Sequence, residues 1–159
     1  YYKDKKSSKA LIQKDGLHTG DLGKIDNNGN VFYIGRKKDS VRVKGENISS
    51  WEIEKNLNTH RSISESAILS TKADIGEEDI IALLVSKNKN KTKLEDIALY
   101  FKKKLPKNYN PRYWSYVSVP PRTPTLRIDK KLININSLKF YDFLRKKFTF
   151  LKKNSFLTN

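Results

Sequence analysis

Few residues of this 159-residue chain have types and spacings that indicate chemistry directly. The sequence contains no cysteine, and its two histidines, His18 and His60, lie far apart. It shows neither a GxxxxGK phosphate loop nor residues at metal-ligand spacing, so we expect no metal site within it. Adjacent carboxylates such as Glu77 and Glu78 are typical of a helix or loop surface. Composition and spacing alone therefore leave the function open.

Four short segments nevertheless place charged residues beside glycine or proline turns. They are residues 19–21 (TGD), 35–39 (GRKKD), 44–48 (KGENI) and 121–127 (PRTPTLR). Gly45 interrupts an extended run, which indicates a turn with positive φ or a close approach of the backbone. Each segment alone could be an ordinary surface turn.

The net charge of +16 needs a reason. One interpretation is a polyanionic partner, either nucleic acid or a phosphate-rich cofactor. The other is a compositional bias toward lysine, which we prefer because the lysines are dispersed rather than set in an aromatic-interleaved stripe. We therefore expect no specific nucleic-acid partner. No apolar run reaches the length of a membrane span, and the absence of cysteine suits a reducing, cytoplasmic compartment.

The strands and helices predicted around these segments indicate an α+β fold. Asn28-Gly29 between two short runs at 22–26 and 30–35 is a strong hairpin signal. Further strands are predicted at 65–70, 80–86 and 113–119, the second of them buried on both faces. Helices and short strands mixed in this order favour α+β over the other fold classes.

Helix starts are predicted from capping residues. Ser7 or Ser8 would cap a short first helix, and Ser49 with Glu52 has capping-box spacing before a helix at 51–59. Residues 92 and 95 repeat that spacing before a helix that Pro106 ends.

The segment from Ser137 onward is basic and aromatic, and its pattern predicts a helix. One face would carry Leu138, Tyr141, Leu144, Phe148 and Leu151, with Lys139, Arg145, Lys146, Lys152 and Lys153 largely elsewhere. Such a helix could dock on a partner or a membrane surface. We prefer the alternative that it packs on its own domain or extends from it.

Taken together and in order, the four segments resemble the carboxyl-terminal end of an adenylate-forming acyl-CoA synthetase, over about residues 15–133. Residues 45–50 (GENISS) are similar to the carnitine and short-chain acid ligases of that family. The resemblance implies a small lid domain, a short mixed sheet flanked by helices, preceded by a hairpin from the large amino-terminal domain. Its boundaries would be hairpin 1–35, hinge 36–38, lid 39–135 and a basic, aromatic tail 136–159.

The resemblance also implies roles for individual residues. Asp21 would bond the ribose hydroxyls of the nucleotide, since a carboxylate can accept two charge-assisted hydrogen bonds. Arg36 would also touch the ribose, and Lys38 would be the hinge. The turn of Lys44, Gly45 and Glu46 would line the pantetheine tunnel during thioester formation.

The last segment departs from the family pattern. Where the family has glycine and a catalytic lysine, this sequence has Leu126 and Arg127. Arg127 would then neutralise charge during adenylation, although its planar fork is bulkier than a lysine ammonium. Lys130 or Lys131 could substitute, but neither is in register.

The implied function is that of the lid portion of an ATP-dependent acyl-CoA ligase, which forms an acyl-adenylate and transfers the acyl group to CoA. ATP or AMP, CoA and Mg²⁺ would be the cofactors, with the metal bound outside this segment. The chain lacks methionine throughout, so we expect its start to be a cut in a longer protein. The missing amino-terminal domain, with the phosphate loop and the acyl pocket, would then be its partner, and the chain alone would be inactive. The second hypothesis is a non-catalytic lid-fold module that binds CoA or nucleic acid on its basic surface.

Overall fold

The computed structural model describes residues 2–74, 76–88 and 91–151. The chain begins with helix α1 (Lys5–Leu11) and the antiparallel pair β1 (Ile12–Gln13) and β2 (Gly16–Leu17). Asp4 caps α1, because its carboxylate accepts a hydrogen bond from the Ser7 N–H at 2.9 Å. The prediction that Ser7 or Ser8 caps this helix is therefore wrong, since both lie inside its first turns.

The predicted hairpin at Asn28-Gly29 is confirmed. Strands β3 (Asp21–Ile25) and β4 (Val31–Arg36) pair antiparallel. The Asp26 carboxylate closes the loop by accepting the N–H groups of Asn28 and Asn30, both at 2.9 Å. Hydrogen bonds from the Asn30 side chain and backbone lower the pKa of Asp26.

A 3₁₀ turn (Lys37–Asp39) leads from the hairpin into β5 (Ser40–Val43), β6 (Glu46–Ser49) and helix α2 (Ser50–Leu57). Ser49 occupies the N-cap position, but its hydroxyl donates to the Ile34 carbonyl at 2.9 Å instead of capping α2. The predicted capping box is therefore wrong, because the Ser49 side chain makes no capping hydrogen bond to α2. A Cβ at Gly35 would collide with Ser49 Oγ, so the hairpin and the start of α2 pack closely.

The remaining strands form one five-stranded sheet. They are β7 (Ile63–Lys72), β8 (Glu78–Ser86), β9 (Tyr113–Tyr116), β10 (Lys139–Asp142) and β11 (Lys147–Phe150), in the spatial order β11-β10-β9-β8-β7. Neighbours are antiparallel except β8 and β9, which run parallel and are connected through helix α3 (Leu94–Lys104). This mixed sheet with its helices confirms the α+β prediction.

Side chains alternate across the sheet and build a core on each face. Helices α2 and α3 and the β5/β6 hairpin cover one face, around Ile80, Ala82 and Leu84. The segment 117–138 supplies partly buried residues to the other face, around Ile81 and Leu83. The prediction that β8 is buried on both faces is confirmed, since residues 80–84 are each 2% exposed or less.

The predicted helix from Ser137 is wrong, because its described part forms the β10/β11 hairpin. The apolar residues satisfy a helical period, but each short run carries two aromatic residues, Phe140 and Tyr141 in one and Phe148 and Phe150 in the other, which suits strands. Lys146 takes a positive φ of 50° in the connecting turn, which makes the reversal possible. Lys152 and Lys153 lie outside the described residues.

Helix α3 begins and ends close to the predicted limits, but its predicted cap is wrong. Lys93 holds the N-cap position, and the Thr92 hydroxyl donates to Ser62 Oγ at 2.9 Å. Pro106 follows the helix as predicted.

Candidate nucleotide site and two turns

The hairpin brings Asp21 and Arg36 together. They are register partners at the open end of β3 and β4, and Arg36 Nε lies 3.0 Å from Asp21 Oδ1. Their side chains are 35% and 50% exposed, so the pair is accessible to a ligand. This contact joins one carboxylate oxygen and one guanidinium nitrogen, and both groups offer further atoms to which a ribose diol could bond.

An open depression adjoins this pair. Residues 15–21 and Lys37 line it, and the Lys37 N–H donates to the Gly20 carbonyl at 2.8 Å. The Asp21 N–H donates to Thr19 Oγ1 at 3.1 Å, which ties the Asp21 backbone to the loop. His18 Nε2 contacts Asp15 Oδ1 at 2.9 Å on the same rim.

Lys38, the predicted hinge, lies exposed in the 3₁₀ turn between the hairpin and β5. Contacts on either side of it join the two parts of the chain in this conformation. Ser49 bonds Ile34, and the rings of Tyr33 and Trp51 meet edge-on with centroids 6.3 Å apart.

The predicted thioester turn is a two-residue connection between paired Val43 and Glu46. Lys44 and Gly45 have φ values of 51° and 82°, the two positive values of a type I′ turn. A Cβ built on Gly45 would meet nothing within 4 Å, so only the backbone conformation favours glycine here within this chain.

Arg127 lies exposed in a second tight turn, at residues 123–127. The Thr123 N–H donates to the Arg127 carbonyl at 2.8 Å, and the Arg127 N–H donates to Thr123 Oγ1 at 3.2 Å. Leu126 has a φ of 62° and is 75% exposed. A leucine therefore occupies a left-handed conformation that glycine adopts without strain.

The two turns lie at opposite ends of the β7/β8 hairpin. Carboxylates of Glu77 and Glu78, where β8 begins, accept N–H groups of the first turn and its strand. At the other end Glu65 contacts Arg122 at 3.0 Å, whose guanidinium also donates to the Leu126 carbonyl. From Glu65 to Lys72, β7 rises by about 20 Å. The structure thus separates Gly45 from Arg127.

No local sequence pattern indicates the charge network around Arg112, whose side chain is 10% exposed. Its guanidinium contacts Asp79 at 2.7 Å, Asp74 at 2.9 Å and Asp142 at 3.3 Å. Burial opposes the charge of Arg112, but these hydrogen bonds outweigh it and raise its pKa. The hydrogen bond from Arg112 also lowers the pKa of Asp74. Each of these aspartates lies 30 or more residues from Arg112 in the sequence, so no local spacing signals them.

Among the residues that the structure describes, no group of three or more histidine, aspartate or glutamate side chains is arranged to hold a metal ion. The described helices include none that is long and apolar enough to cross a membrane.

The fold of this chain resembles the carboxyl-terminal domain of adenylate-forming ligases. o-Succinylbenzoate CoA synthetase (MenE) from Bacillus subtilis, solved with its acyl-adenylate intermediate, matches with a TM-score of 0.76 at 25% identity, over 84% of this chain and 27% of that one. ATP-bound MatB from Rhodopseudomonas palustris matches with a TM-score of 0.72 at 28% identity, over 83% and 26%.

Sequence relatives agree with these structures, although no family model matches the chain. 4-Coumarate–CoA ligase CCL1 from Humulus lupulus is 31% identical over 136 residues, 84% of this chain and 24% of that enzyme. The homologues and structural neighbours are thus acyl-CoA ligases of the AMP-binding family, matched over their carboxyl-terminal part. This chain spans about a quarter of their length.

Proposed function

We propose that this chain is the lid portion of an ATP-dependent acyl-CoA ligase, which activates a carboxylic acid as its adenylate and transfers the acyl group to CoA. Asp21 and Arg36 hold the ribose, and Lys38 is the hinge on which the lid turns. Arg127 serves adenylation, and the turn of Lys44, Gly45 and Glu46 serves thioester formation.

The observation that carries the proposal is the separation of the two turns. Gly45 follows strand β5, whose Val41 packs in the core on one face of the sheet, whereas Ile128 beside Arg127 packs on the other. Because the turns also lie at opposite ends of β7, both cannot face one bound nucleotide at once. Rotation of a rigid lid about a short hinge would present them in turn.

This chain supplies some of the groups that a nucleotide site requires. The Asp21 and Arg36 pair offers a carboxylate and a guanidinium beside an open depression, as a ribose requires. ATP would supply the adenylyl group, and CoA the thiol. Within this chain, Asp21 orients the sugar, Arg127 contributes positive charge near the acyl carboxylate, and the Gly45 backbone leaves room for a thin pantetheine arm.

A chimera tests the proposal. The 159-residue chain would replace the aligned carboxyl-terminal part of B. subtilis MenE. We expect it to form the adenylate of o-succinylbenzoate and then the thioester, whereas the MenE remainder alone makes neither at a comparable rate. The isolated chain should show no acid-dependent exchange of pyrophosphate into ATP. A chimera without either half-reaction, although folded, would refute the proposal, as would clear exchange by the isolated chain.

For the acid, residues 45–50 supply the one indication, since they resemble the carnitine and short-chain acid ligases. We extend the proposal to that branch, to fatty acid metabolism, to a cytoplasmic setting and to Mg²⁺ bound outside this segment. Comparing carnitine, crotonobetaine and 4-coumarate as substrates of the complete enzyme would test the branch.

The departure at Leu126 and Arg127 favours one second candidate, a lid-fold module without chemistry that binds CoA or nucleic acid. On the ligase proposal, the net charge of +16 gives at most weak, non-specific nucleic-acid binding, with a Kd of about 10⁻⁴ to 10⁻⁶ M at physiological salt. Binding that is tight, sequence-selective and persistent at high salt would favour this candidate over the ligase.

A further inference from the structure

Backbone pairing of Val43 with Glu46 closes the thioester turn, and contacts from outside the hairpin add to it. A glycine at φ 82° with open space around it has several conformations available, and Lys44 beside it also has a positive φ. Side chains from elsewhere in the chain select one of these conformations.

Glu77 makes the central contacts. Its Oε2 accepts a hydrogen bond from the Gly45 N–H at 2.9 Å, and its Oε1 accepts one from Arg42 Nε at 2.7 Å. One carboxylate thus joins the turn to the strand that leads into it. Glu78 adds a bond from the Arg42 N–H at 2.8 Å, and Asn108 reaches Glu46 at 3.1 Å on the other side of the turn.

We propose that Glu77 is a positioning residue for thioester formation, an inference that rests on the proposed function. Glu77 lies in the connection between β7 and β8, so it ties the Gly45 turn to the sheet, the rigid part of the lid. Pantetheine must pass this backbone closely, and a displacement of about 1 Å can lower a rate by roughly 10²-fold. Glu77 therefore acts through Gly45 and touches neither thiol nor adenylate.

The charge of Glu77 is itself satisfied. The Gly45 N–H and the Arg42 guanidinium lower the pKa of Glu77, so its carboxylate stays ionised at neutral pH. CoA, a polyanion, would otherwise be repelled by an unpaired carboxylate beside its path. This pairing distinguishes Glu77 from an ordinary surface acid, which the sequence alone had suggested.

The test uses the MenE chimera and three variants. Glu77→Ala should lower thioester formation from preformed adenylate by about 10- to 100-fold, with adenylation within about twofold of the unchanged chimera. Glu77→Gln keeps an acceptor for the Gly45 N–H and should recover most of that loss. Glu65→Ala is the matched control, because this carboxylate lies at the opposite end of β7 beside the Arg127 turn. It should leave thioester formation unchanged and affect adenylation instead.

A second measurement uses the full 159-residue chain. The Gly45 amide should exchange its hydrogen faster in Glu77→Ala than in the unchanged chain, while the Arg127 amide exchanges equally in both. Normal thioester formation by Glu77→Ala, or equal loss of both half-reactions, would overturn the inference while the ligase proposal stands. An unchanged chimera that performs neither half-reaction would instead refute the proposed function, and the inference with it.

Discussion

The Gly45 turn and the Arg127 turn adopt related backbones with different residues. In the first, glycine holds the left-handed conformation at Gly45 and a distant carboxylate fixes it. In the second, Leu126 holds that conformation with a φ of 62°, and a local hydroxyl, that of Thr123, fixes the turn. A left-handed residue can therefore be maintained either by removing its Cβ or by hydrogen-bonding the turn around it.

The difference indicates where each turn can tolerate change. Residues 123–127 carry their own hydrogen bonds, so their shape depends little on the rest of the fold. The first turn depends on Glu77 and Asn108, which belong to other elements. Substitution of Leu126 should therefore act locally, whereas loss of Glu77 should act on the connection between turn and sheet.

The largest effect should come from the Arg112 charge network in the five-stranded sheet. Arg112→Met should lower the free energy of unfolding by about 3–5 kcal/mol, because it removes the guanidinium 3.3 Å from Asp142, which is 1% exposed, and leaves Arg145 Nε, at 3.8 Å, as a more distant cation. Urea denaturation of the full chain would measure the loss. Arg145→Met is the control, since that guanidinium is 56% exposed, lies 3.8 Å from Asp142 and should matter by at most about 1 kcal/mol. Equal losses in the two variants would show that burial of the network is unimportant.

The next effect concerns chemistry at the second turn alone. A well-placed cation is worth roughly 10²–10³ in rate in a site shielded from water, and the fork of Arg127 fits a lysine position poorly. Leu126→Gly with Arg127→Lys should therefore accelerate adenylation by the MenE chimera by about 10-fold or more. Pre-steady-state adenylate formation would measure it.

Thioester formation from preformed adenylate should hardly change in the same double variant, because that step uses the Gly45 turn. Unaltered or slower adenylation would mean that Arg127 is competent as it stands or lies away from the reacting groups. Either result would mean that the unusual residues of the second turn have no functional consequence, so the two turns would differ in structure only.

The sequence predicted those parts that local chemistry determines. The hairpin at Asn28-Gly29 and the doubly buried β8 follow from turn residues and apolar runs within one segment. The cap at Ser49 failed because a tertiary partner, the Ile34 carbonyl, took its hydroxyl. The β10/β11 hairpin was missed because the apolar residues of its two short strands also satisfy a helical period.

In the candidate site too, some features could be predicted from the sequence and others could not. The pairing of Asp21 with Arg36 agrees with motifs at the two ends of a predicted hairpin. Glu77 could not be recognised, because its partner Gly45 lies 32 residues away and only the folded sheet brings them together. The assigned roles of Arg127, Lys38 and Gly45 remain predictions.

A stability comparison sharpens the contrast between the turns. Gly45→Ala should lower the free energy of unfolding by about 1 kcal/mol, from backbone strain alone, since a Cβ there meets nothing. Leu126→Gly should raise it by up to about 1 kcal/mol, because relief of left-handed strain exceeds the added entropy of the unfolded chain. Thermal and urea unfolding would measure both. Opposite signs are required, and destabilisation by Leu126→Gly would mean that its side chain makes contacts outweighing the strain.

The smallest effect is a difference in pH response. The pKa of Glu77 lies below the ordinary glutamate value of 4.5, so its ionised form is favoured in the folded state by the Gly45 N–H and Arg42. The stabilisation from ionised Glu77 is fully present above the pKa that Glu77 has in the unfolded chain. It is lost as the pH falls through the pKa that Glu77 has in the folded chain. The Arg127 turn has no such dependence through Thr123, whose hydroxyl does not titrate in this range. In ¹⁵N NMR spectra of the full chain, the Gly45 amide should therefore shift in acid, below about pH 4.5, before global unfolding, while the Arg127 amide stays in place. Glu77→Gln should remove the Gly45 shift, and a shift that survives this substitution would assign the titration to another carboxylate.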